Sequence, residues 1–79
     1  MRIVVMPPFD REFFGGDRLE MEATNLFDLV ARLDARAPGF AAIAEARAAF
    51  AIDGVFTPDW STPLAEALEV ILLPRVGGG

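Results

Sequence analysis

Histidine and cysteine are both absent from the 79-residue chain. The usual general base near neutral pH, the usual zinc ligands and the thiol nucleophile are therefore missing. What remains for chemistry is twelve Asp and Glu residues, spaced closely at Asp10 and Glu12 and at Asp17 and Glu20, and the carboxylate that ends "ILLPRVGGG" (Ile71 to Gly79). Side-chain carboxylates act as acid and base when burial and mutual repulsion drive their pKa values apart. These four lie in a loop and on the polar side of a strand pattern, where acids ordinarily form a solvated surface. The chain end is built differently. Glycine has no Cβ, so Gly77, Gly78 and Gly79 could thread a channel too narrow for a methyl group. Pro74 fixes φ and pushes Leu73 toward an extended shape, so the chain should leave the body straight and present its carboxylate at a distance. The competing reading is a slack terminus with no role.

Such a tail needs a body, and the composition bounds it. A chain of this length with 53% hydrophobic residues makes one domain, burying about 60% of the surface its unfolded form exposes. A large catalytic cleft does not fit that size. No apolar run approaches the roughly 18 residues of a membrane helix, and Met1 leads into a strand pattern rather than a signal-peptide core, so a soluble, cytoplasmic protein is expected. The net charge of −5 argues against nucleic acid, whose phosphates call for a basic surface. It is compatible with a basic protein partner or simply with solubility. All seven basic residues are arginine, so the chain offers no lysine as an acceptor for conjugation.

The hydrophobic pattern supplies the elements. "RIVVMP" (Arg2 to Pro7) is a continuous β-branched run, the pattern of a central strand covered on both faces. After the loop "PFDREFFGGD", the segment "RLEMEA" alternates, with Leu19, Met21 and Ala23 on one side and Arg18, Glu20 and Glu22 on the other. Gly15-Gly16-Asp17 supplies the turn chemistry that pairs the two as a hairpin. At Thr24-Asn25 the period changes to 3.6. Leu26, Leu29, Val30, Leu33 and Ala37 share a helical face, Asn25 caps it and Pro38-Gly39 stops it. "FAAIAEARAA" predicts a second short helix or turn. "FAID" and "GVFT" form a hairpin about Asp53-Gly54. A connection from Pro58 to Ala67 then leads to a last strand, "LEVILL" (Leu68 to Leu73).

The first and last strands, apolar on both sides, belong side by side and parallel in the sheet centre. A mixed sheet of four to five strands with one main helix on one face is an α+β, β-grasp arrangement. In the first and last strands both alternating sets are apolar, Ile3 and Val5 against Val4 and Met6, and Val70 and Leu72 against Ile71 and Leu73, so one set from each strand must point outward unless the second helix or the Pro58 to Ala67 loop covers it. An uncovered apolar area of that kind marks a partner surface.

The β-grasp frame, "REFFGGD" (Arg11 to Asp17), "AIDG" (Ala51 to Gly54) and "LEVILLPRVGGG" together resemble the MoaD/ThiS family of ubiquitin-like sulfur-carrier proteins. The matching positions are Arg11, Glu12 and Gly15, then Glu69, Val70, Pro74, Val76, Gly78 and Gly79. The resemblance implies one domain over residues 1–79, with 74–79 a flexible tail. It also implies a carrier rather than an enzyme, with no cofactor bound to it. An adenylating enzyme of the ubiquitin-activating type would use ATP to activate Gly79, and a persulfide sulfur would convert it to a thiocarboxylate. In the molybdopterin branch the larger synthase subunit would receive the tail. Gly77, Gly78 and Gly79 would then be the sulfur-carrying end, and Ile71, Leu73, Pro74, Arg75 and Val76 the partner-binding neck. Arg75 stands where the family often has a second proline, Gly77 replaces a small residue such as alanine, and the loop around Trp60 is no family signature. These departures leave thiamine or another sulfur transfer open as the pathway. The rival readings are an interaction module with an inert tail and a small acid/base enzyme built on Asp10, Glu12, Asp17 and Glu20.

Overall fold

The computed structural model describes residues 1–75. The two continuous apolar runs lie side by side: β1 (Arg2–Val5) and β5 (Glu69–Pro74) pair in parallel, Ile3 opposite Val70 and Val5 opposite Leu72. β2 (Arg18–Glu20) joins β1, β3 (Ala48–Ile52) joins β5 and β4 (Val55–Phe56) joins β3, all antiparallel, giving the order β2-β1-β5-β3-β4. This is the expected α+β, β-grasp sheet with five strands.

α1 (Leu26–Arg36) forms where the period changes. Asn25 is extended, and its Oδ1 accepts the Asp28 N–H at 2.8 Å, while Asp28 Oδ2 accepts the Thr24 N–H at 2.9 Å. The two side chains thus satisfy donors on either side of the helix start. Arg32 Nε donates to the same Asp28 oxygen at 2.9 Å, one turn on. α2 (Phe40–Arg47) follows, so the short alanine-rich segment is a helix. Asp34 Oδ1, near the end of α1, accepts the N–H groups of Gly39 and Ala41 at 3.1 and 2.9 Å and fixes the corner between the helices.

One sheet face carries the core. Ile3, Val5, Val70, Leu72, Ala48 and Phe50 meet Leu26, Leu29, Val30 and Leu33 of α1 and Phe40 and Ala44 of α2. Both helices therefore lie on the same side. The segment "PFDREFFGGD" is more ordered than a plain loop, because Asp10–Phe14 form a π-helical turn closed by Gly15 in the left-handed region at φ 66°. Its reason is aromatic packing: Phe9, Phe13 and Phe14 stand with ring centroids 5.9, 5.3 and 5.1 Å from Phe40, in edge-on geometry.

Several boundaries differ from the sequence reading: β1 ends at Val5, and Ala48 and Ala49, expected at the end of the second helix, open β3. Ladder pairing of β2 stops at Glu20, although Leu19, Met21 and Ala23 still pack against the core and Arg18, Glu20 and Glu22 stay exposed. At the other end β5 continues through Pro74, opposite Ala48, so Pro74 belongs to the sheet and not to a tail beginning at 74. Val76, Gly77, Gly78 and Gly79 lie outside the described residues.

Replacing Asn25 with Ala should lower stability by about 1 kcal/mol, read from urea unfolding, by freeing the Asp28 N–H. The Thr24 N–H, and after it Arg32, hold the Asp28 carboxyl below its ordinary pKa of 3.8. Its contribution is therefore complete above the unfolded-state value and lost as pH falls through the folded one. Asp28→Asn should consequently show a shallower loss of stability on acidification than the parent, in unfolding curves taken between neutral pH and pH about 3.

Candidate functional site

The expected site is the chain end, and β5 is the element that leads to it, so the relevant geometry is that strand together with what grips its two ends. At the start the grip comes from the β3–β4 hairpin. Asp53 and Gly54 both have positive φ, 48° and 85°, the geometry that a two-residue hairpin needs and that Asp and Gly tolerate. The Asp53 carboxylate then does a second task. Its Oδ1 accepts the N–H groups of Leu68 and Glu69 at 3.0 and 2.9 Å, and its own N–H donates to the Glu69 carbonyl at 2.9 Å. Across the sheet Arg2 Nη1 meets Glu69 Oε2 at 3.2 Å. Both groups are substantially exposed, so this pair contributes little by itself.

Along the strand, alternate residues serve opposite faces. Val70 and Leu72 are fully buried in the core, while Ile71 and Leu73 are partly exposed on the outer face. The ladder register puts Arg18, Val4, Ile71, Ala51 and Phe56 in one row across all five strands, and Leu73 beside Ala49 in the next. Phe56 is 62% and Met6 43% exposed. Neither expected cover closes over Ile71 and Leu73, although Pro58 and Trp60 border Ala49 and Phe56 at one edge of the face. α2 lies on the core side, and the Pro58 to Ala67 connection buries Leu64 in the core and sets Trp60 edge-on to Phe50 and Phe27 at 5.4 and 5.7 Å. Trp60 is thus a packing anchor of the loop. The apolar outer row runs directly toward the point where the chain leaves the sheet.

At that point β5 has a neighbour on one side only. Registered pairing with β1 ends at Leu72, whose carbonyl accepts the Met6 N–H at 2.9 Å, whereas pairing with β3 continues through Leu73 and Pro74. The Arg75 N–H donates to the Arg47 carbonyl at 2.7 Å, and Arg75 Nη2 to the Ala48 carbonyl at 3.2 Å. A groove of about 370 Å³, lined by Phe27, Glu45, Pro58, Asp59, Trp60 and Arg75, opens beside this exit.

Of the expected neck residues, Ile71, Leu73, Pro74 and Arg75 are brought together as one strand end, partly exposed and apolar except for Arg75. The acidic residues of the enzyme reading form no comparable site. Glu12, Asp17 and Glu20 are exposed, and Asp10 accepts the Arg11 N–H at 2.8 Å. Among the described residues no group of three His, Cys, Asp or Glu side chains could hold a metal ion, and no helix is long and apolar enough to cross a membrane. "REFFGGD" works structurally through Phe13, Phe14 and Gly15, while Arg11 and Glu12 face solvent. The Asp53 link to β5 and the Arg75 bonds escaped the sequence reading. Asp-Gly signalled a turn, but nothing local encodes a partner fifteen residues away.

The family model described as "ThiS family" matches residues 3–79, the tail included. The chain belongs to the ThiS family. As a ThiS-family protein it is a small ubiquitin-like sulfur carrier, not a catalytic enzyme, in a family whose carriers work with adenylating enzymes and sulfur acceptors. A comparison with curated proteins gives no match.

In this ThiS-family chain, Asp53→Ala should cost about 1–2 kcal/mol in urea unfolding, since it leaves two N–H groups at the start of the central strand without their acceptor. It also places a β-carbon residue without a local hydrogen-bonding side chain at positive φ. Asp53→Asn, which tolerates that backbone and keeps one acceptor oxygen, should cost less.

Proposed function

We propose that the Gly79 carboxylate is the group that carries sulfur, as a thiocarboxylate, and that the acceptor is the large subunit of a molybdopterin synthase. The observation that carries this reading is the continuity of the apolar outer row, through Ile71 and Leu73, into the strand end from which Pro74, Arg75 and Val76 lead to three glycines. Pro74, Val76, Gly78 and Gly79 stand at positions that match the family's ending, which supports a carrier tail.

The chemistry follows from the poor electrophilicity of a free carboxylate. One Gly79 oxygen attacks the α-phosphorus of ATP in the active site of an adenylating enzyme, pyrophosphate leaves, and a mixed acyl–phosphate anhydride results. A persulfide sulfur attacks the acyl carbon and AMP departs, giving an acyl disulfide. A second thiol then attacks the outer sulfur of that bond and forms a disulfide with it, releasing the thiocarboxylate. When the sulfur has been passed to a pterin precursor, water restores the carboxylate. The chain is a reactant throughout: its body docks through the outer row, and ATP binds to the adenylating enzyme rather than to the carrier.

Incubation with ATP, an adenylating enzyme and a persulfide donor should raise the mass of the intact protein by one oxygen-to-sulfur exchange. Deleting Gly78 and Gly79 should abolish that gain while leaving the unfolding midpoint unchanged. Conversion of a pterin precursor by the sulfur-loaded protein with the large synthase subunit assigns the pathway. Transfer only to a thiazole-forming enzyme would move the protein to the thiamine branch, and no mass gain with any adenylating enzyme would remove the carrier chemistry.

A further inference from the structure

The carbonyl of Ala48 is served in an unusual way. Ala48 and Pro74 face each other as a pair that exchanges no backbone hydrogen bonds, because the bond beside them runs from the Arg75 N–H to the Arg47 carbonyl. In such a pair the backbone groups point away from the partner strand. Pro74 therefore loses no bond to β3 by lacking an N–H, and the Ala48 carbonyl points toward the β4 side of the sheet. There the ladder has run out. Thr57 still donates to the Phe50 carbonyl at 2.8 Å, but Pro58 follows, and the next rung, which would bring a backbone N–H to Ala48, is not made. Arg75 supplies the missing donor: its side chain reaches past Pro58 and Trp60, with which it lines hollows on both sides, and bonds Ala48 at 3.2 Å.

Arg75 is thus held at two points, by its own N–H and by its guanidinium, on the consecutive carbonyls of Arg47 and Ala48. The four residues that follow it can span at most about 14 Å. Where the terminal carboxylate can travel is set by where that span begins. We propose that Arg75 is a positioning residue of the carrier: its guanidinium staples the root of the tail to the open edge of β3, fixing the starting point and direction from which Gly79 enters an enzyme. A proline at this position could make neither bond. The inference rests on the carrier reading for its functional half, while the staple stands on geometry alone.

The test uses the full chain with arginine, alanine or lysine at position 75. In Arg75→Ala the N–H remains but the staple is gone, and amide hydrogen exchange at position 75, followed by NMR, should become roughly five- to tenfold faster. Exchange in β1 and the Trp60 fluorescence unfolding midpoint should move little. In ATP–pyrophosphate exchange driven by an adenylating enzyme, the same variant should raise KM for the carrier several-fold with kcat nearly unchanged, since a docking geometry is lost and not the reacting group. Arg75→Lys, which restores one cationic donor, should recover part of both effects. Unchanged amide exchange in Arg75→Ala would overturn the staple. Faster exchange with an unchanged KM would overturn its role in positioning. A parent chain that supports no pyrophosphate exchange with any adenylating enzyme would instead remove the carrier reading, and the positioning role with it, leaving the NMR result to stand by itself.

Discussion

The parallel pairing of β1 with β5 is the constraint from which the rest follows. A parallel neighbour cannot be reached by a tight turn, so the chain between them must cross over, and α1, α2 and the β3–β4 hairpin are all accommodated in that crossover. It also makes the last strand a central one. Val70 and Leu72 are fully buried, and the residues beyond β5 are attached to the middle strand of the sheet. A tail that emerges from an interior strand starts from a fixed point.

The energetics divide along the same line. Hydrophobic burial of the inner row, some 25 cal/mol per Å² of apolar surface, holds β5 in place as a whole. Polar bonds then decide where it begins and ends. Asp53 grips the first residues of the strand and Arg75 the last. Neither group lies in the core, and no buried side-chain polar atom among the described residues lacks a partner. The core and the two grips therefore do different work: burial supplies most of the stability, while the grips hold the two ends of a single strand and contribute less.

Much of this was legible from residue order. Continuous apolar runs identified the two central strands because a strand covered on both sides shows no alternation. The change of period at Asn25 located α1, and alternation of Ile71 and Leu73 with Val70 and Leu72 already implied an apolar outer face. The resemblance at the chain end pointed to the family whose model matches residues 3–79. What was hidden depended on proximity between distant segments. The π-helical turn at Asp10–Phe14 exists because three phenylalanines converge on Phe40, which a local window does not contain. By residue order Pro74 falls just beyond the last strand, at the start of the tail, yet the ladder phase at Ala48 asks for no donor there and the strand runs through it. The roles of Asp53 and Arg75 likewise appear only once the hairpin and the strand are adjacent in space.

Arg2 and Glu69, which face each other across the two central strands, are separated by 67 positions in the chain. Bringing such remote segments together carries a loop-closure entropy that local helix formation does not, and folds dominated by distant pairings reach the native state more slowly than those built from near neighbours. The helices and the β3–β4 hairpin can gather early from local contacts, but the sheet stays split into two halves until the final strand slots between them. Completion of the sheet therefore depends on the segment that leads to the chain end, and a molecule in which β5 is not yet seated lacks the strand that joins its two halves.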